Sequence, residues 1–492
     1  MNYTRYFVRG TWLVFIILIA SAFVGYLFRI LLARNLSPSE YGLFFAVFSF
    51  LSFFMGFKAL GLNVSVSRYV AEFRTKGDFK SAKNSLVYLF LVQALILSLF
   101  TTVAIILSNW LGKNYFKNEA AAGIIIVLAI SFLLSTFETF FAALFVSFKK
   151  PVLSALIDLF GNAAIFVTTY LFFRLGLKTM APAYANLISF ALVPVVFMIF
   201  LLKTFPKFFV IPASFDWHLF KKLLYFGLTV IVGLMGSAIL GYADTIILTY
   251  FRPLSDVGYY NVAIPIANLI GYIGKAVSPV ILPMASELYA LADKRLRESI
   301  TKLQKWTFII LSPLALSLFA FPEVIINLFF GEKYLPAAIP VRLLSVGTIF
   351  GSIALINGRL LLAINKPKIQ TAISLSIAAL SVLLNLLLIP LLGIVGASIT
   401  ALTTGLINAA LSTTILNRFV ENKIPLFDYA KVIVASAAFV GTLFVLKKLL
   451  IINVLIEIPI TIVVASLIYL LFLITLKTTS LKEIKNIIKS AI

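Results

Sequence analysis

The chain has 492 residues, of which 62% are hydrophobic and only 12% charged, and its mean hydropathy is +1.08. Soluble domains carry about one quarter charged residues, so this composition excludes a soluble enzyme or binding domain and indicates an integral membrane protein. The sequence has no cysteine and a single histidine, His218, which excludes disulfides, thiolate chemistry and most zinc sites.

Apolar windows of roughly 20 residues, the length that a helix needs to cross a bilayer, recur along the whole sequence. The first window lacks a small-residue cleavage site and is followed by further windows, so we expect it to remain as a helix and not to act as a signal peptide. The predicted fold class is an all-α polytopic membrane protein with about 14 transmembrane helices. These predicted spans, numbered 1 to 14, are 11–33, 41–66, 84–109, 121–148, 152–173, 181–202, 224–250, 258–285, 306–330, 336–363, 369–389, 394–417, 430–450 and 455–476.

The net charge is +23, and the distribution of the basic residues along the chain indicates the membrane topology. The segments outside the predicted spans fall into two alternating sets, one of which includes both termini. That set contains about three times as many Lys and Arg residues as the other, so the positive-inside rule places both termini in the cytoplasm. The predicted location is the cytoplasmic membrane, with multiple passes. The basic residues also attract anionic membrane lipids, and no nucleic-acid partner is predicted.

An internal repeat links the two halves of the sequence. Residues 25–44, GYLFRILLARNLSPSEYGLF, align without a gap with residues 241–260, GYADTIILTYFRPLSDVGYY, at an offset of 216 (241 − 25), and Lys150-Pro151 matches Lys366-Pro367 at the same offset. Weak internal symmetry of this kind is typical of transporters. Six predicted spans separate the copies, so both enter the membrane in the same direction and a pseudo-twofold axis should run along the membrane normal.

The repeat predicts two pseudo-twofold six-helix lobes around a central cleft, followed by two extra C-terminal helices. We expect the protein to work as a monomer. The predicted domains are an N-lobe at 1–202 with helices 1–6, a C-lobe at 203–417 with helices 7–12, helices 13 and 14 at 418–476, and a cytoplasmic amphipathic tail at 477–492.

Two charges of opposite sign occupy nearly the same depth in spans 1 and 7. Small residues recur every four positions in span 7, which is typical of close helix packing, but Arg29 in span 1 does not fit that role, because burying an unpaired guanidinium there costs about 2.5 kcal/mol or more. Asp244 directly precedes Thr245, the repeat equivalent of Arg29. We predict that Arg29 and Asp244 line the cleft from opposite lobes and pair when its outer mouth closes. The alternative is that each reaches the outer interface or pairs within its own lobe.

Span 8 carries Asn261, Asn268 and Lys275 at intervals of seven, which places them on one face of a helix. Lys58 in span 2 is displaced by one position from the repeat equivalent of Lys275. Lysines on the cytoplasmic side of both lobes would hold a phosphate or pyrophosphate as point charges. Alternatively, both lysines extend to the inner interface.

Four further charges lie within predicted spans: Glu138, Asp158, Arg342 and Arg359. Glu138 and Asp158, together with Asp244, are the candidates for gating or for coupling to H⁺ or Na⁺; Glu138 could instead neutralise a cation of its own lobe. Arg342 joins the predicted substrate-binding cations, whereas Arg359 is close enough to the inner end of its span to reach the interface. No metal site and no other cofactor are predicted.

Enzymatic catalysis is not predicted. No connection is long enough for a soluble catalytic domain, and the Gly-Lys pair in GYIGKAVS lacks the spacing of a phosphate-binding loop. A membrane glycosyltransferase would need an acidic pair in a loop, and the connections offer none. Transport is the class of function that remains.

Several segments resemble the polysaccharide (O-antigen type) flippases of the multidrug/oligosaccharidyl-lipid/polysaccharide exporter superfamily, and the resemblance runs over essentially the whole chain. The segments are LLARNLSPSEYGLFFAVFSF, YADTIILTYFRPLSDVGYYNVAIPIANL, SPVILPMASELYALAD and LIPLLGIVGASITALTT. The resemblance implies alternating-access movement of a polyprenyl-phosphate- or pyrophosphate-linked oligosaccharide from the inner to the outer leaflet, for cell-surface polysaccharide or glycan assembly. It also implies membrane lipids and glycan polymerases or transferases as partners.

Such relatives use cationic cavities for the anionic head group, and Arg29, Lys58, Lys275 and Arg342 are the residues here that would serve. The alternative is an ion-coupled multidrug or cation exporter of the same fold. Basic residues within the predicted spans outnumber acidic ones, which favours an anionic cargo.

Overall fold

The computed structural model describes residues 3–291, 295–420, 426–449, 454–480 and 483, without the side chains of 3–12, 234, 275–277, 279–280 and 454–455. Over these residues the regular structure is helical. The helices are α1 (Tyr3–Asn35), α2 (Pro38–Met55), α3 (Leu62–Thr75), α4 (Phe79–Asn114), α5 (Ala120–Ser147), α6 (Pro151–Arg174), α7 (Ala181–Thr204), α8 (Trp217–Phe251), α9 (Leu254–Ala290), α10 (Arg295–Ala320), α11 (Pro322–Phe329), α12 (Ala338–Ala363), α13 (Pro367–Leu392), α14 (Ile394–Val420), α15 (Leu426–Leu449) and α16 (Val454–Thr475), with a 3-10 helix at Glu332–Ala337.

Twelve helices of the described chain are long and apolar enough to cross a membrane, and α8 supplies a thirteenth if its two halves, bent by 45°, form one span. Helix α9 covers the predicted span 258–285. Each of the predicted spans therefore coincides with helical structure, and the predicted all-α polytopic membrane fold is confirmed.

The predicted span 41–66 is divided in the structure. Helix α2 ends at Met55, and α3 begins only at Leu62, after a turn that ends with Gly61 at φ +73°. A Cβ atom at Gly61 would overlap the backbone of Gly227 in α8. Glycine therefore satisfies two demands here, a left-handed backbone and a close helix crossing. The predicted span 306–330 is likewise divided, at Phe321 between α10 and α11.

The helices group into two compact units, Met1–Asn261 and Val262–Ile492, called the first and second units below. In the first unit α1 packs on α6, α5 on α4 and α7, and α8 on α2 and α3. Its core is rich in aromatic rings from α5 and α7, including Phe141, Phe145 and Phe197, against which Leu223 of α8 is buried.

In the second unit α14 packs on α12 and α13, and α10 packs on α12 and α15. A buried amide network ties these helices together: Gln304 donates to Asn357 at 2.8 Å, and Asn357 donates to Ser412 and Thr413. Helix α8 lies in the first unit. The predicted lobe boundaries at 202 and 417 stay a prediction, and the predicted tail, 477–492, lies largely outside the described residues.

Candidate substrate and coupling site

The first turns of α2 and α9 cross at a pair of repeat-equivalent glycines, Gly42 and Gly258. A Cβ atom at Gly42 would overlap the carbonyl oxygen of Leu254, and one at Gly258 would overlap that of Pro38. Pro38 and Leu254 are themselves repeat equivalents, so the contact is reciprocal, as a twofold relation between the copies requires. We call this contact the glycine crossing. It fixes the backbone around which the predicted gate residues lie.

Arg29 of α1 lies beside the glycine crossing and is partly buried. Its Nη1 donates to the carbonyl oxygen of Asn261 at 3.2 Å, and its Cζ lies 4.4 Å from the centroid of the Phe45 ring. A guanidinium over an aromatic face is attracted by the ring quadrupole. The carbonyl and the ring are therefore the partners that a guanidinium needs at this depth.

Asp244 of α8 has a different partner. Its Oδ2 accepts a hydrogen bond from the Tyr260 hydroxyl at 2.7 Å, and its Oδ1 accepts one from the backbone N–H of Thr245 at 2.7 Å. Tyr260 is fully buried. Arg29 and Asp244 are thus attached to consecutive residues of α9, and no ion pair of the described chain joins them directly. Their pairing in another state stays a prediction.

Lys58 lies in the turn after α2, not within a helix as the sequence predicted. Its Nζ donates to the hydroxyl of Ser135 in α5 at 2.9 Å. Lys58 also lines a cavity of about 460 Å³. Hydroxyl groups make part of the cavity wall polar, from Ser52, Ser135, Ser237 and Tyr242.

Glu138 of α5 lines this cavity and also a second one, of about 310 Å³. Asp158 and Asn162 of α6 line the second cavity together with Ser21 of α1, and Asn162 Nδ2 donates to Ser21 Oγ at 2.9 Å. Glu138 interacts electrostatically with both Lys58 and Asp158. The first unit therefore contains a continuous polar tract from α1 to the turn after α2.

The polar tract offers carboxylate, amide and hydroxyl oxygens, which are ligands for hard cations and acceptors for protons. Groups of three or more His, Cys, Asp or Glu side chains that could hold a metal ion are absent from the described residues. The carboxylates of the tract are therefore candidates for binding a proton or a hard cation.

The other predicted site residues lie in the second unit. Arg342 forms an ion pair with Glu323 and donates from Nε to the carbonyl of Phe319 at 3.2 Å. Arg359 donates to Ser278 at 2.9 Å. Asn268 is partly buried in α9, and the side chain of Lys275 lies outside the described residues.

The partners of the predicted charges were not predicted from the sequence. Tyr260 lies 16 residues from Asp244 across the α8–α9 hairpin, and Asn261 lies 16 residues from Thr245. Two antiparallel helices joined by a short connection bring residues at equal distances from that connection side by side. Folding spans 7 and 8 in this way would have predicted both pairs. The contact between Lys58 and Ser135 could not be predicted in this way, because Lys58 lies in a turn that the hydropathy of the sequence does not reveal.

The chain is similar to known membrane proteins. The model of the family described as "Polysaccharide biosynthesis protein" matches residues 7–289, more than half of the chain. An uncharacterized membrane protein of Methanocaldococcus jannaschii is 30% identical over the whole length of both chains. The "Probable low-salt glycan biosynthesis flippase Agl15" of Haloferax volcanii is 25% identical over 93% of each chain.

The fold is also that of a solved structure, the lipid II flippase MurJ in an inward closed conformation. The TM-score is 0.75 at 17% identity, over 94% of this chain and 98% of that one. The resemblance predicted from the sequence is confirmed: the chain belongs to the polysaccharide biosynthesis protein family.

Proposed function

We propose that the protein is a flippase that moves a polyprenyl-phosphate- or pyrophosphate-linked oligosaccharide from the inner to the outer leaflet by alternating access. Membership of the family and the flippase name of the Haloferax relative support this class of activity. The lipid tail would stay in the bilayer while the sugar and its phosphate pass through the protein. Both termini would lie in the cytoplasm, and glycan transferases or polymerases would supply and consume the cargo.

One observation carries the proposal: the ammonium group of Lys58 lines a cavity of about 460 Å³. That size falls in the range of pockets that hold small-molecule ligands. The hydroxyls of Ser52, Ser237 and Tyr242 in the same wall are suited to sugar hydroxyls, and the ammonium is suited to a phosphate. Arg29 is a further cation within the predicted spans of the first unit.

The test uses proteoliposomes that contain a fluorescent polyprenyl-diphosphate oligosaccharide, with dithionite quenching as the measure of flipping. We expect Lys58→Ala to lower the initial rate about tenfold or more, because a hydrogen bond to a charged group is worth about 1.5–3 kcal/mol. Lys113→Ala is the matched control, since Lys113 is exposed and faces Glu119 at 3.7 Å. Equal rates for the two variants would contradict the proposed role of Lys58.

We further propose that Glu138 and Asp158 couple transport to a proton or sodium gradient. Both carboxylates line the 310 Å³ cavity, and Glu138 also faces the cavity of Lys58. An imposed pH or Na⁺ gradient should accelerate flipping by the native protein. Glu138→Gln should remove this acceleration and leave gradient-independent flipping, whereas Glu119→Gln, at an exposed carboxylate, should keep it. Full acceleration in Glu138→Gln would exclude the coupling role.

The second candidate function is an ion-coupled exporter of cationic drugs, which the two carboxylates in one cavity favour. Efflux of a cationic dye from the same proteoliposomes separates the two functions. A flippase should leave the dye gradient unchanged. Dye efflux that is abolished by Glu138→Gln, together with an immobile lipid-linked sugar, would establish the exporter instead.

A further inference from the structure

Two basic side chains from different helices converge on one pair of aromatic rings, away from the cavities described above. The guanidinium of Arg68 in α3 lies 5.0 Å from the centroid of the Phe226 ring in α8 and 5.7 Å from that of Tyr69. The ammonium of Lys222 in α8 lies 4.6 Å from the Tyr69 ring. The two rings meet edge to face, with centroids 5.9 Å apart. The rings thus hold two like charges at one place on the surface.

Negative charge near these two cations is scarce. Glu72 bonds to Lys76 at 2.6 Å, and this hydrogen bond, with smaller contributions from Lys222 and Arg68, lowers the pKa of the Glu72 carboxyl below its ordinary value. No ion pair within the described residues joins Arg68 or Lys222 to a carboxylate. One carboxylate therefore faces three cations, and the cluster has a net positive charge.

The cluster borders a surface of exposed apolar side chains. Val64, one turn before Arg68 in α3, is 42% exposed, and Leu228 and Tyr225 of α8 are 45% and 74% exposed. The predicted span within α8 begins at 224 and the predicted span 41–66 ends two residues after Val64, so we expect these side chains at the edge of the hydrocarbon layer. Charged heads next to exposed apolar side chains are typical of a membrane–water interface.

The backbone beneath the cluster is fixed. Ser65 of α3 donates to the carbonyl of Leu223 in α8 at 2.9 Å, and Gly61 and Gly227 allow the two helices to touch. The backbones that carry Arg68 and Lys222 are therefore held in place before any ligand arrives, which reduces the entropy that binding would cost.

We propose that Arg68 and Lys222, positioned by Tyr69 and Phe226, bind the phosphate of a membrane lipid at the interface. The guanidinium fork suits two phosphate oxygens and the ammonium a third, while the lipid chains lie along Val64, Leu228 and Tyr225. The phosphate belongs either to an anionic phospholipid or to a polyprenyl phosphate. This site is separate from the cavities to which flipping is assigned, and it stands whether or not flipping is established.

The test is native mass spectrometry of the full-length protein in detergent, titrated with phosphatidylglycerol or with undecaprenyl phosphate, and with phosphatidylcholine as the reference lipid. Each basic residue near a membrane surface contributes about 1 kcal/mol to binding of an anionic lipid, which is about fivefold in affinity. We expect Arg68→Gln/Lys222→Gln to weaken binding of the preferred anionic lipid about 25-fold. Lys113→Gln is the charge control, since Lys113 lies in the last turn of α4 and outside the cluster. Its affinity for the lipid should stay within twofold of that of the native protein.

Phe226→Leu removes the ring under Arg68 without changing the charge, so it should weaken lipid binding several-fold. It also keeps the proposal testable if the double variant fails to fold. Preference for undecaprenyl phosphate would assign the site to cargo, and preference for phosphatidylglycerol would assign it to bulk lipid. Unchanged binding of both lipids in the double variant, or an equal loss in Lys113→Gln, would overturn the proposal.

Discussion

The two repeat copies, residues 25–44 and 241–260, share one backbone arrangement and differ in its chemistry. In the first copy Phe28 and Phe44 meet edge to face, with ring centroids 6.4 Å apart. The equivalent positions of the second copy, Asp244 and Tyr260, form a 2.7 Å hydrogen bond. A ring contact in one hairpin has been replaced by a buried polar pair in the other.

The neighbouring positions differ in the same manner. Arg29 lies over Phe45 in the first copy, whereas their equivalents Thr245 and Asn261 meet through a 3.4 Å hydrogen bond in the second. The glycine crossing is common to both copies. Close backbone packing therefore restricts the sequence at the crossing, whereas the positions beside it carry a basic residue, Arg29, in the first copy and an acidic one, Asp244, in the second. A pseudosymmetric scaffold can therefore support an asymmetric site.

The largest expected effect is at the glycine crossing itself. Gly258→Ala would place a methyl group on the carbonyl oxygen of Pro38 and force α2 and α9 apart, and overpacking of this kind costs about 1–3 kcal/mol. We expect a clear fall in the thermal unfolding midpoint in detergent and a loss of flipping. Gly42→Ala should behave alike, because the contact is reciprocal.

The control for this prediction is the other glycine pair of the repeat. A Cβ atom at Gly241 would have no neighbour within 4 Å, and one at Gly25 would lie 3.9 Å from the Asn162 side chain. Gly241→Ala should therefore keep the native midpoint or raise it slightly, since alanine favours helix. If Gly241→Ala and Gly258→Ala lower the midpoint equally, the crossing is not the constraint described here.

An intermediate effect is expected at Asp244. Asp244→Leu leaves the buried hydroxyl of Tyr260 without its acceptor, which costs about 1–3 kcal/mol. The double variant Asp244→Phe/Tyr260→Phe copies the first hairpin into the second and should regain most of the lost stability. A double-mutant cycle of thermal midpoints with Asp244→Phe, Tyr260→Phe and their double variant measures this coupling. Strictly additive effects would show that the two residues do not act as a pair.

The smallest effect is expected at Thr245, whose hydroxyl accepts a long 3.4 Å bond from Asn261. Thr245→Val keeps the shape of the side chain and should cost about 0.5 kcal/mol or less. The thermal midpoint should stay close to that of the native protein. A loss as large as that of Asp244→Leu would mean that Asn261 depends on Thr245 for its position.

The sequence was sufficient for the membrane fold because long apolar windows and basic connections are local properties. It was not sufficient for the break between α2 and α3, since Lys58 is the one charged residue among apolar residues and glycines there, and the apolar window continues across the break. Gly61 breaks the helix because of its contact with Gly227, 166 residues away (227 − 61). Such a contact has no local signal.

The same distinction applies to the site. Depth along the helices identified Arg29, Asp244 and Glu138 as charges that need partners. The partners themselves depend on side-chain reach and helix rotation: a backbone carbonyl and Phe45 for Arg29, and Tyr260 for Asp244. Arg342, predicted to bind cargo, proved to be held by Glu323, an acidic residue that the sequence analysis left unassigned.

The position of Glu138 between two cavities has a thermodynamic consequence. A proton or cation that neutralises this carboxylate from the 310 Å³ cavity changes the electrostatic potential at Lys58 in the 460 Å³ cavity. Linkage requires the effect to be reciprocal, so an anion bound beside Lys58 changes the affinity of Glu138 for its proton or cation by the same factor. One shared side chain is thus enough to make two separate binding equilibria depend on each other.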